Sequence, residues 1–120
     1  MSRTILVTGS RDWTDVITIR DALAVYGTRD SILLHGAARG ADTIAATQWR
    51  RWGLKDQPVP ADWSLGRSAG IRRNEAMCHL LTGRDDICLA FILNGSPGAT
   101  HCARYAERLG IQVVRFERRV

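Results

Sequence analysis

The sequence predicts an α/β fold: a mostly parallel sheet of about five strands, covered by helices on both faces. Two observations carry this. Short apolar, β-branched runs alternate with stretches of helical period along the chain. The longest apolar run, "DICLAFIL" (Asp86–Leu93), has no polar alternation, as expected of a strand buried on both faces. Such alternation favours parallel strands joined by helical crossovers.

The first strand is "TILVT" (Thr4–Thr8), ended by Gly9. Asp12 or Thr14 is expected to cap a helix carrying Val16, Ile19, Leu23 and Tyr26 on one face, with Gly27 as its end. "SILLH" (Ser31–His35) is the second strand. A helix from about Gly40 to Trp52 follows, with Ala41, Ala45, Gln48 and Trp52 along one side and Gly53 as its stop. Gln57–Trp63 is extended, because Pro58 and Pro60 exclude a helix interior, and it holds a short third strand. "SLGRSAG" reads as a loop. The next helix runs from about Ser68 to Leu81, with Gly83 just beyond it. After the Asp86–Leu93 strand and the turn "NGSPGAT", a helix over roughly Ala99–Leu109 groups Ala99, Cys102, Ala103 and Ala106. Gly110 caps it, and "IQVVRF" is the last strand. No repeat or linker interrupts the pattern, and 120 residues fit one domain over 1–120.

An apolar fraction of 45% argues against disorder. No apolar run approaches the ~20 residues that span a bilayer, and the N-terminus enters a strand without a signal-peptide layout. The expectation is a soluble, cytoplasmic protein. Cys78, Cys88 and Cys102 form no CxxC pair, so neither a zinc site nor a disulfide framework is suggested, and they read as buried thiols. No metal cluster stands out and no cofactor is called for. The formal charge is +5, and Lys55 is the only lysine. The arginine bias reflects either background composition or an anionic partner, small molecule or nucleic acid.

Three turns leave the ends of expected strands: Gly9–Trp13, Gly36–Asp42 and Asn94–His101. In open parallel sheets ligands bind beyond those ends. A glycine turn opening into a helix offers free amides and a positive dipole end, which suit phosphate. None of the turns matches GxGxxG or a phosphate-binding P-loop, so Gly36, Gly40 and Gly98 admit a second reading as tight-turn or packing glycines. Arg11 is a phosphate candidate. Asp12 either caps a helix or meets a ribose hydroxyl. Asp42 either complements its helix dipole or receives a ligand hydroxyl. Ser96 and Thr100 offer hydroxyls near a helix start, and His101 is a possible acid or base. Arg72 and Arg73 lie near a helix start, where cations oppose the dipole, so they suit an anion or nearby carboxylates; Asn74 adds donors and an acceptor. Trp49 and Trp52 are expected to pack. Trp13 and Trp63, in loops, either stack on a base or cover the core.

"GSRDW", "HGAARGAD", "PADW", "AGIRRNEAM" and "AFILNGSPGATH" occur in this order, and together they resemble the YspA-like, cpYpsA-related members of the SLOG superfamily. The resemblance covers about Thr4 to Val114. It implies a Rossmann-like three-layer sandwich and a site for a nucleotide or nucleotide-derived ligand, with NAD or ADP-ribose derivatives among the candidates. It also implies assembly, at least to a dimer. The site residues it implies are Gly9, Ser10, Arg11, Gly36, Ala38, Gly40, Asp42, Arg72, Arg73, Asn74, Gly95, Gly98 and Thr100. The reading from residues adds Asp12, Trp63 and Ser96.

Relatives in that superfamily include the LOG phosphoribohydrolases and the DNA-binding protein DprA. LOG enzymes carry PGGxGT followed by a catalytic glutamate. Here the segment is "NGSPGATHCARYAE": His101 follows Thr100, and the next carboxylate, Glu107, is about two helical turns on. Asp42 and Glu75 are the remaining catalytic candidates. The first expectation is therefore a nucleotide-binding module, acting as a sensor or by sequestration. The second is a hydrolase of an N-glycosidic or phosphoribosyl bond. The third is single-stranded DNA binding in the manner of DprA.

Overall fold

The computed structural model describes residues 3–81 and 84–120. The chain runs β1 (Thr4–Gly9), α1 (Val16–Tyr26), β2 (Ile32–His35), α2 (Ala41–Arg51), β3 (Asp56–Pro58), a single 3-10 turn (Trp63–Leu65), α3 (Ala69–His79), β4 (Ile87–Leu93), α4 (Pro97–Arg108) and β5 (Gln112–Arg118). The five strands form one sheet in the order β3-β2-β1-β4-β5. Every pairing is parallel. This is a Rossmann-like α/β fold, as expected. Gly83, expected to follow the third helix, lies outside the described residues.

The central strands β1 and β4 and most of β2 are buried on both faces, whereas the edge strands β3 and β5 are partly exposed, and successive side chains serve different cores. Ile5, Val7, Leu33, Ile87, Leu89 and Phe91 pack with Ile19, Leu23 and Trp49 of α1 and α2. Leu6, Leu34 and Cys88 pack with Met77, Cys78, Cys102 and Ala106 of α3 and α4. The period of two along each strand thus produces three layers. All three cysteines are free and buried, as expected. Among the described residues no helix is long and apolar enough to cross a membrane.

Several boundaries differ from the sequence expectation, each for a local reason. The cap of α1 is Asp15, not Asp12 or Thr14: its carboxylate accepts the Thr18 amide at 3.1 Å and the Thr18 hydroxyl at 2.6 Å. Trp13 displaces the start. It is buried, packs edge-on against Phe91 at 5.5 Å, and its indole donates to the Asp15 carbonyl. Val16, expected on the buried face, is consequently 48% exposed. On α2 the buried row is Ala41, Ala45 and Trp49, while Trp52 is exposed, resting edge-on against Trp49. α3 closes at His79, because the Leu80 and Leu81 amides turn to the Met77 and Cys78 carbonyls. α4 begins at Pro97, two residues before Ala99: the fixed φ of proline suits the first helical position and its missing N–H costs nothing there.

Candidate functional site

The winding of the sheet reverses beside β1. β1 leads through α1 to β2 on one side, whereas β4 is reached through α3 and lies on the other. Between β1 and β4 the exit loops part, which is where open sheets take ligands. A cleft of about 390 Å³ opens there. Its lining comes from the β1 exit (Thr8–Asp12), the β2 exit with α2 (Ala38, Arg39, Asp42), Trp63 and Arg67, the start of α3 (Gly70, Ile71, Arg73, Asn74) and the start of α4 (Ser96–Ala99).

Two glycines hold this architecture by what they leave out. A Cβ on Gly40 would stand 2.4 Å from the Arg11 carbonyl oxygen, and its φ is +78°. The β1 exit loop lies on Gly40, with the Ala41 amide donating to the Ser10 carbonyl at 3.2 Å. A Cβ on Gly36 would stand 2.6 Å from the Arg73 guanidinium. These two glycines therefore admit neighbouring protein groups. Gly98 differs: nothing lies within 4 Å of the position its Cβ would take.

Asp42 is the buried carboxylate of the cleft, 5% exposed. Its Oδ2 accepts the Gly36 amide at 3.0 Å and the Ala38 amide at 3.3 Å. Its Oδ1 is buried and has no hydrogen-bond partner among the described residues. Burial raises its pKa to about 6, against the pull of the two amides, His35 and Arg73. The turn that supplies those amides is braced from below. The Ala37 amide donates to His35 Nδ1 at 3.0 Å, so the Nε2 proton of His35 points to Asp56, 2.7 Å away. Arg50 grips Asp56 through two bonds of 2.8 Å. Asp56 is thereby held down to about 2, chiefly by Arg50.

Arg73 reaches from α3 across the cleft to the Gly36 and Val59 carbonyls, and its Nε donates to Asn74 Oδ1 at 2.7 Å. Burial lowers its pKa. Trp63 is 54% exposed, with the Arg11 guanidinium 5.5 Å from its ring centroid. Helix capping follows the cleft. α1, which starts elsewhere, has its Asp15 cap, whereas α2, α3 and α4 start at the cleft with no side-chain cap. In α4 the amides of Gly98 and Ala99 have no acceptor in the preceding turn of helix, and Ser96 leaves its hydroxyl out of any cap.

Of the expected site residues, the structure gathers Gly9, Ser10, Arg11, Asp12, Ala38, Asp42, Trp63, Arg73, Asn74, Ser96 and Gly98 along this cleft. Gly36 lies beneath Arg73, and Gly40 beneath the β1 exit loop. Arg72 and the turn residue Gly95, with φ +67°, are exposed outside the lining; Thr100, half-buried, also lies outside it, with its amide bonded to Ser96 O. Asp12 faces solvent toward Arg39 at 3.4 Å. Glu75 bonds to His101 at 2.8 Å, tying α3 to α4 outside the lining. Arg39 and Arg67 line the cleft and were missed, although Arg39 stands inside "HGAARGAD".

An open, doubly wound parallel sheet with an arginine-rimmed cleft at its switch point defines a Rossmann-like α/β protein. The profile of the YspA, cpYpsA-related SLOG family matches residues 3–66, and the chain belongs to that family. It is 41% identical over 128 aligned positions to the Gene 61 protein of Mycobacterium phage D29, covering 95% of this chain and 96% of that one. Its fold is similar to that of DNA processing protein A (DprA) from Streptococcus pneumoniae, with a TM-score of 0.60 and 15% identity over 93% of this chain. The chain spans 58% of that structure.

Proposed function

We propose that this chain binds a nucleotide or nucleotide-derived ligand in the switch-point cleft, acting as a sensor or by sequestration. The observation that carries this is the unpartnered Oδ1 of Asp42, buried in the cleft lining beside three helix starts that carry no side-chain cap. A buried carboxylate oxygen without a donor is costly, and a ligand hydroxyl supplies the missing bond. The Gly98 and Ala99 amides suit a phosphate at the positive end of α4. The exposed face of Trp63 suits a base. A ligand of the phosphorylated-nucleoside or NAD/ADP-ribose kind is what the motif resemblance implies.

A thermal-shift screen against AMP, ADP, ADP-ribose, NAD and cyclic dinucleotides tests it, with each incubation also resolved by chromatography. A ligand that raises the melting temperature and is recovered intact supports a binding module. A ligand that is bound and consumed makes the protein a hydrolase. Asp42 is then the acid to substitute first, since Glu75 is engaged by His101.

A second reading, single-stranded DNA binding, draws on Arg11, Arg39, Arg67 and Arg73 around an exposed tryptophan, and on the fold shared with DprA. It predicts retention of a labelled oligonucleotide that falls steeply with salt. Absence of retention at low salt removes it.

A further inference from the structure

Resting on the nucleotide reading, we propose that the ligand carries two separated anionic groups, one on each side of the Arg11–Trp63 stack. A second cleft of about 400 Å³ adjoins the first, and Arg11, Ala38, Arg39, Trp63 and Arg73 line both. The stack therefore stands at the junction of two compartments of nearly equal size. Pro60 and Ala61, which follow β3, complete the second.

Among the described residues, no carboxylate hydrogen-bonds to Arg11 or Arg73 at the junction. Arg73 spends its donors on uncharged acceptors: the Gly36 and Val59 carbonyls and Asn74 Oδ1. Arg11 lies close enough for its charge to disfavour that of Arg73. Asp42 acts on Arg73 more strongly than Arg11 does, but only through space, since its bonded oxygen faces the Gly36 and Ala38 amides. Arg39 meets Asp12 at 3.4 Å with both side chains more than 70% exposed, a contact that water and salt screen.

The two compartments hold an anion by different means. The first offers amides at the start of α4. In the second, the amides of Gly36, Ala37 and Ala38 already donate to Asp42 and His35, so guanidinium groups must do the work. A mononucleotide with one phosphate fills one seat. The class that fills both is a nucleoside bisphosphate or a dinucleotide with phosphates on opposite sides of a nucleoside. Adjacent phosphates in one diphosphate chain leave the second seat empty.

Equilibrium titrations at fixed low salt with AMP, ADP and adenosine 3′,5′-bisphosphate test this on the wild type, Ala61→Glu and Ala61→Lys. The bisphosphate is expected to bind about tenfold or more tighter than AMP, with ADP close to AMP. Ala61→Glu is expected to pull that ratio toward one, and Ala61→Lys to raise it. Melting curves check folding, and if the glutamate variant fails to fold, the lysine variant decides. The proposal is overturned if the bisphosphate gains nothing over AMP, if ADP gains as much, or if folded Ala61 variants leave the ratio unchanged. AMP binding without a bisphosphate gain removes this inference alone; binding of none of the three removes the nucleotide reading with it.

Discussion

Gly36 and Arg73, 37 positions apart, share one space: the guanidinium of Arg73 occupies the place a side chain on Gly36 would take, and donates to the Gly36 carbonyl. The glycine is small so that an arginine from another helix can cross the cleft. Gly36→Ala should therefore cost about 1–3 kcal/mol through overpacking. Its effect should depend on Arg73, with a coupling of about 0.5–3 kcal/mol in a double-mutant cycle with Arg73→Ala. Chemical denaturation of the four proteins measures it, and additive effects would show that the two positions are independent.

Gly40 is under a harder constraint, because its neighbour is backbone. Gly53 shares a positive φ, +76°, and has nothing within 4 Å of its Cβ position, so it is the control for positive φ without a clash. Gly53→Ala should cost about 1–2 kcal/mol, the penalty for the left-handed region alone. Gly40→Ala should cost more, because its ψ of −128° lies outside the left-handed basin and because of roughly 1–3 kcal/mol for the clash with the Arg11 and Ser10 carbonyls. Equal costs would mean that neither the clash nor the unusual ψ of Gly40 adds to the penalty for positive φ.

The alternation of apolar strands and amphipathic helices was legible because each element's burial is written in its own period. What could not be read locally was competition between near neighbours. Asp12, Thr14 and Asp15 are all plausible caps, and only the burial of Trp13 against Phe91 selects Asp15. Trp49 and Trp52 are one helical turn apart, and the rotation of α2 on the sheet decides which is buried. For the site, the switch-point turns meet at the edge where the cleft opens. The partner of Gly36 is an arginine on a distant helix, so the reason for that glycine lies in tertiary contact. Arg67 carried no signal beyond being one arginine among many in a loop.

The buried carboxyl of Asp42 makes stability depend on pH with an unusual sign. Its folded pKa, about 6, lies above the unfolded value of 3.8. Between those values the folded state holds a proton that the unfolded state has released, so stability falls as pH rises from about 4 to about 6 and is flat above. The full effect is roughly 2–4 kcal/mol. Asp42→Asn should abolish this slope and, without ligand, be at least as stable as the wild type at pH 7. Urea midpoints at pH 4.5 and pH 7 measure it; a wild type that gains stability over this range would contradict the assignment.

Trp63 is half-exposed and its substitution should cost little stability. If a base stacks on it, Trp63→Ala should weaken nucleotide binding by about 1–3 kcal/mol, tenfold or more. Unchanged affinity would place the base elsewhere.

The most direct test of the central claim is calorimetric titration of AMP into the wild type and Asp42→Asn at pH 7.5, with the melting temperature of each recorded. Asparagine must turn its one carbonyl oxygen to the Gly36 and Ala38 amides, leaving an NH₂ where the unpartnered Oδ1 stood. The account predicts one site per chain in the wild type and at least about tenfold weaker binding in the variant, with no loss of folding. Equal affinity in the two proteins, or no binding to the wild type, would contradict it.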